Sequence, residues 1–69
     1  MEWNKAAQIV ADDQNAGVST EAGETLYTVE EAVAHARNIL TPETLTDYAD
    51  ENTEAYRLIL TENPDGTAL

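Results

Sequence analysis

Carboxylates outnumber cationic side chains by fourteen to three in this 69-residue chain, which sets its formal charge at −11 at pH 7. Lys5, Arg37 and Arg57 are too few to line a groove for a phosphate backbone, which argues against direct DNA or RNA binding. Docking on an anionic membrane surface falls with it. Self-repulsion among the carboxylates also opposes the compact state, and counter-ions screen it. The melting temperature is therefore expected to rise with added salt. A flat response in thermal unfolding would show that repulsion does not limit stability.

Hydrophobic residues make up 42% of the chain, so it is not starved of apolar material as a disordered chain is. One domain over residues 1–69 is the expectation for this length. A chain this short buries only roughly 60% of its unfolded surface. Its large apolar side chains are few, Phe is absent, and eleven Ala residues favour close helix packing over a thick core. There is no cysteine, so neither disulfides nor thiolate metal sites can brace it. A partner or a homodimer is the usual remedy for so small a core. No apolar run reaches about 18 residues and no basic segment leads into an apolar one, so a cytoplasmic location is expected, the host cytoplasm if the chain is phage-encoded.

The chain reads as mainly α, with three helices at 4–15, 29–40 and 42–60 and a short extended segment near 24–28. In the first, Asn4 suits the N-cap and Gly17 the position past the end. At about 100° per residue, Trp3, Ala6, Ala7 and Val10 share a face, with Ile9 off it. Leu26 and Tyr27 are candidate anchors of the extended segment. Thr28 with Glu31 spells a capping box for the second helix. Val29, Val33, Ala36 and Leu40 line its inner face, with Ala32 and Ile39 beside them, and Glu30, Glu31, Ala34, Arg37 and Asn38 point away. Thr41-Pro42 restarts the chain as N-cap and first helical residue. In the third helix Leu45, Tyr48, Ala49, Ala55, Tyr56, Ile59 and Leu60 fall on one side, and Leu58 does not. The competing architecture is a small α+β fold with strands at 24–28 and 55–61, because YRLILT has strand composition and Asn63-Pro64-Asp65-Gly66 is a strong turn signal.

The third segment carries the most informative pattern. Glu43, Asp47, Asp50 and Glu54 are spaced four, three and four apart, with Glu51 at the edge, and on a helix they form one acidic face. Successive carboxylates would rise about 4.5–6 Å, the same order as the ~3.4 Å phosphate spacing along one DNA strand. Like charges at this spacing destabilise a helix by roughly 0.2–0.5 kcal/mol per pair. A basic partner that offsets this cost is one explanation, and a plain solvated face is the other. Asp12, Asp13, Glu21 and Glu24 form a second acidic region. Asp12 and Asp13 end a helix, where the dipole disfavours them, whereas Glu30 and Glu31 open one, where it favours them.

Chemistry is poorly supplied. Ser19 and His35 are single residues of their kinds, with no nucleophile–base motif around either, and His35 follows Glu31 at the spacing of a helix-surface pair. Trp3, Tyr48 and Tyr56 read as core. Asp12 and Gly17 have the spacing of a helix-loop-helix calcium loop, but Gln14 and Ala16 fill positions that need Asp or Asn, and Gly23 falls where a bidentate Glu is required. No His/Cys cluster suits zinc, and no glycine motif suits phosphate. No metal, no cofactor and no enzymatic activity are expected.

A very small, cysteine-free, strongly acidic chain resembles in composition the phage inhibitors that imitate nucleic acid, such as anti-restriction proteins, glycosylase inhibitors and some anti-CRISPR proteins. That resemblance implies a non-enzymatic inhibitor that blocks a basic DNA- or RNA-binding groove, and the helical spacing of the carboxylates makes Glu43, Asp47, Asp50, Glu51 and Glu54 its expected contact residues. Two other readings share the acidity. One is a structural or regulatory domain from a salt-loving organism, which nine Thr and one Lys also fit. The other is an antitoxin-like adaptor covering a basic partner.

Overall fold

The computed structural model describes residues 1–16, 26–45 and 51–69. These form α1 (Trp3–Asn15), α2 (Val29–Ile39) and α3 (Glu51–Thr61), with a 3₁₀ turn at Pro42–Thr44. The fold is mainly helical, and the described residues contain no strand. The α+β alternative therefore fails at 55–61, which is helical. Of the extended segment, 24 and 25 lie outside the described residues, and Leu26–Thr28 form no regular element.

α1 begins one residue before the expected start, with Glu2 at the N-cap in extended backbone (φ −74°, ψ 148°) and no side-chain cap. Its inner face is the one the spacing predicts: Ala6, Ala7 and Val10 are buried and Trp3 is half-buried. Ala11 joins them, and Ile9 packs against the same core from the edge. Gly17, the expected helix stop, lies outside the described residues.

α2 starts as its sequence dictates. The Thr28 hydroxyl accepts from the Glu31 N–H (3.1 Å) and the Glu31 carboxylate accepts from the Thr28 N–H (3.0 Å). Two donors that would otherwise be orphaned are satisfied, and negative charge sits at the favourable end of the dipole. These hydrogen bonds hold the Glu31 carboxyl below its usual range. Ala32, Val33 and Ala36 are buried. Ile39, expected beside that face, is 58% exposed. The helix stops because Pro42 crowds the residue before it: Thr41 is extended (φ −124°, ψ 161°), as is Leu40 at the C-cap.

The predicted helix over 42–60 is not continuous. The Thr44 hydroxyl accepts from the Thr41 N–H (3.1 Å) and donates to the Thr41 carbonyl (2.7 Å), closing the turn on itself. A hydroxyl that competes for backbone groups in this way favours a turn over helix propagation. Leu45 follows in extended backbone (φ −77°, ψ 127°). Helix is described again from Glu51, where Thr53, Ala55, Ile59 and Leu60 are buried.

Beyond α3 the turn signal is realised. The Asn63 carbonyl accepts from the Gly66 N–H (2.9 Å), and Glu62 pairs with Ala68 in a single antiparallel bridge. Gly66 adopts φ +88°, which side-chain-bearing residues rarely tolerate.

Cross-helix hydrogen bonds fix the arrangement. The Trp3 indole N–H donates to the Glu62 carbonyl (2.9 Å), joining the start of α1 to the end of α3. Gln14 donates to the Ala32 carbonyl (2.8 Å), and the Asn15 side chain exchanges two hydrogen bonds with the Tyr27 backbone (2.8 and 3.1 Å). The end of α1 thus lies beside the start of α2. Arg37, near the end of α2, donates to the Ile59 and Glu62 carbonyls at the end of α3 (2.9 and 3.0 Å). So α1 opposes both other helices, and α2 and α3 run in like direction. Alanines supply most of the buried interface, and Ile59 and Val10 are the largest fully buried side chains.

Candidate partner-binding surface

The predicted acidic row is only partly assembled. Glu51 and Glu54 are exposed in the first turn of α3. Glu43 is exposed on the 3₁₀ turn, beyond the extended break at Leu45, so it does not share a helix face with them. Asp47 and Asp50 lie outside the described residues, as do Glu21 and Glu24 of the second acidic region. Asp12 and Asp13 are exposed in the last turn of α1.

What the fold does bring together is a different face. Glu62 continues the ladder of α3, its N–H donating to the Leu58 carbonyl at 3.0 Å. At about 100° per residue, Glu51, Glu54, Leu58 and Glu62 fall within about 80° of one another, with buried Ala55 at the edge of that arc beside Glu62, which is itself half-buried. The carboxylates at 51 and 62 are eleven residues apart, about 16 Å along the axis. Sequence reasoning missed Glu62. The eight-residue step from Glu54 was the available signal, hidden because the helix was expected to end at Leu60.

These carboxylates are sparsely compensated. Lys5 lies 3.8 Å from Glu51, and both side chains are well exposed. An exposed pair of this kind contributes roughly 0–1 kcal/mol. The side chains of Glu43, Glu54 and Glu62 have no hydrogen-bond or ion-pair partner among the described residues. The helix dipole separates their reasons for being there. Glu51 and Glu54 stand at the favourable end of α3, whereas Glu62 follows the unfavourable end.

Asp12 and Asp13 also stand at an unfavourable helix end, and both are offset locally. Asp12 accepts from Gln8 (2.9 Å). Asp13 accepts from the Tyr56 hydroxyl (2.7 Å) and from Asn52 (3.4 Å), which ties the end of α1 to α3. Tyr56 is accordingly half-buried rather than plain core. Burial and then the hydrogen bond to Asp13 push its phenol up to about 12. Because the folded value lies above the unfolded one, the associated stability is fully present below the ordinary tyrosine range, about 10. It is lost as pH rises toward about 12. Denaturant unfolding across this alkaline range should show a loss of stability that Tyr56→Phe flattens. An identical loss in the variant would place the alkaline sensitivity elsewhere.

The expected Glu31–His35 surface pair does not form. Glu31 is engaged by Thr28, and the His35 ring stacks on Tyr27 at 5.9 Å, nearly parallel. Ser19 lies outside the described residues. Among the described residues no group of three His, Asp or Glu side chains is placed to hold a metal ion, and no helix is long and apolar enough to cross a membrane. No protein-family model, no curated protein and no solved structure matches this chain.

Proposed function

We propose that this protein is a non-enzymatic acidic binding protein that occupies the positively charged groove of a basic nucleic-acid-binding partner and so competes with DNA or RNA. The observation that supports this reading is the outward side of α3, where exposed Glu51 and Glu54 stand and half-buried Glu62 follows just past the helix end, with Lys5 and the exposed Arg57 as the nearby cations. A carboxylate row held by a packed helix needs no ordering when a partner binds, which removes one of the main costs of association. Its field would act mostly on encounter rate and on salt dependence. Glu43 and Asp12 add charge to the field from neighbouring elements. The location consistent with this role is wherever the basic partner works, the cytoplasm being the expectation.

The test is displacement of a labelled oligonucleotide from a panel of basic nucleic-acid-binding proteins. The protein should displace it from at least one of them at low salt and lose the effect as salt rises. Combined Glu51→Lys and Glu54→Lys should weaken displacement roughly 10²-fold or more, chiefly through slower association. Displacement by the doubly reversed variant at undiminished potency would overturn the proposal. A solvated face in a salt-adapted domain predicts instead no displacement and cooperative unfolding when salt is withdrawn.

A further inference from the structure

Between the first turn of α1 and the turn that follows α3 lies an open groove of about 490 Å³. That volume is within the usual range of ligand sites, roughly 300–1,000 Å³. Its apolar lining is Met1, Trp3, Leu58 and Pro64, and its acidic lining is Glu2, Glu62 and Asp65. A smaller cavity of about 250 Å³ shares Met1, Leu58 and Glu62 with it and reaches Glu54 and Arg57, so the groove is continuous with the outward side of α3.

The pieces are fixed in different ways. The Trp3 indole is oriented by its hydrogen bond to the Glu62 carbonyl, and the Arg37 guanidinium carbon already lies 6.0 Å from its ring centroid. The Asp65 carboxylate accepts from the Thr67 N–H (3.1 Å) and the Thr67 hydroxyl (2.7 Å), which holds it in place and ionised. The Glu2 and Glu62 carboxylates have no partner among the described residues.

Three carboxylates exclude an anion, and they leave a wholly apolar group with charged walls to desolvate. A cation on an aliphatic stem satisfies both linings: methylenes lie along Leu58, Pro64 and the indole, and the charged head meets the carboxylates. We propose that this groove receives one lysine or arginine side chain of the basic partner, anchoring a complex that the α3 face attracts. This rests on the reading of that face as a partner surface, and it adds an anchor to what would otherwise be a purely long-range attraction.

Trp3 is the single tryptophan of the chain, so its fluorescence reports on the groove. The probe is an acetylated, amidated tetra-arginine peptide, with the uncharged tetra-citrulline peptide as its near-isostere. The arginine peptide should change Trp3 fluorescence saturably, and the citrulline peptide should not. Combined Glu2→Gln and Glu62→Gln, near-isosteric changes at carboxylates that hold nothing else, should weaken the response at least tenfold with unchanged far-ultraviolet circular dichroism. Combined Glu51→Gln and Glu54→Gln should weaken it less than threefold. An absent response, an equal response to citrulline, or an undiminished response in the Glu2/Glu62 variant would overturn the groove. Oligonucleotide displacement that still depends on Glu51 and Glu54 would then leave the α3 face standing without it.

Discussion

Replacing Ile59 with alanine should leave the chain mostly unfolded at room temperature. Ile59 is fully buried and is one of the two largest side chains that are. Its neighbours in the core are mainly alanines, which are too small to close over a lost side chain. Removing a buried isoleucine side chain costs about 2–5 kcal/mol, more where the cavity cannot collapse. A single core in a chain of this size supplies only about 3–5 kcal/mol in total. Urea unfolding followed by circular dichroism should show the folded baseline shortened or gone. Ile59→Val should cost about 0.5–1.5 kcal/mol and keep the transition. Ile39→Ala, at a residue more than half exposed, should change stability by less than about 0.5 kcal/mol. Equal effects at 39 and 59 would mean that the core is misplaced.

Arg37→Met should be the most damaging change at a charged residue. This half-buried guanidinium donates to the Ile59 and Glu62 carbonyls and lies over Trp3. It therefore ties α2 to the end of α3, where a cation also meets the negative end of the dipole. Methionine keeps the aliphatic packing and deletes both hydrogen bonds. With charged-donor bonds at about 1.5–3 kcal/mol each, discounted for partial exposure, the loss should be about 2–3 kcal/mol. In a domain of this size that lowers the melting temperature by roughly 10–20 °C. Arg37→Lys should recover part of it, since one ammonium cannot reproduce the planar fork. A melting temperature within a few degrees of the parent would show that α3 is held by its apolar face alone.

The same residue shows where the sequence runs out. Arg37 was expected to point away, because spacing places it outside the apolar stripe of α2. Its long side chain instead reaches α3, and no pattern within α2 records that neighbour. By contrast, the start of α2 was legible because a capping box involves residues three apart, and Thr28 and Glu31 form one. The helical reading of 56–61 holds against its strand rival, which strand composition and a following turn signal leave open in the sequence. Contacts from Trp3 and Arg37, far away in sequence, accompany the helix. The acidic row differs from its expected form for a local reason. Thr44 turns back on Thr41, separating Glu43 from Glu51 and Glu54, while the ladder carried on to Glu62 extends the face at its other end. What composition did convey is the excess of carboxylates. Where they gather depends on how three helices meet.

The paired hydrogen bonds between Asn15 and the backbone of Tyr27 make neighbours of two residues twelve positions apart. The pair therefore closes a ring of chain, at the entropic cost of ring closure. That grows slowly, by about 0.6 kcal/mol for each doubling of length. Those two hydrogen bonds, rather than the length of chain that joins the residues, thus fix where the end of α1 meets the approach to α2.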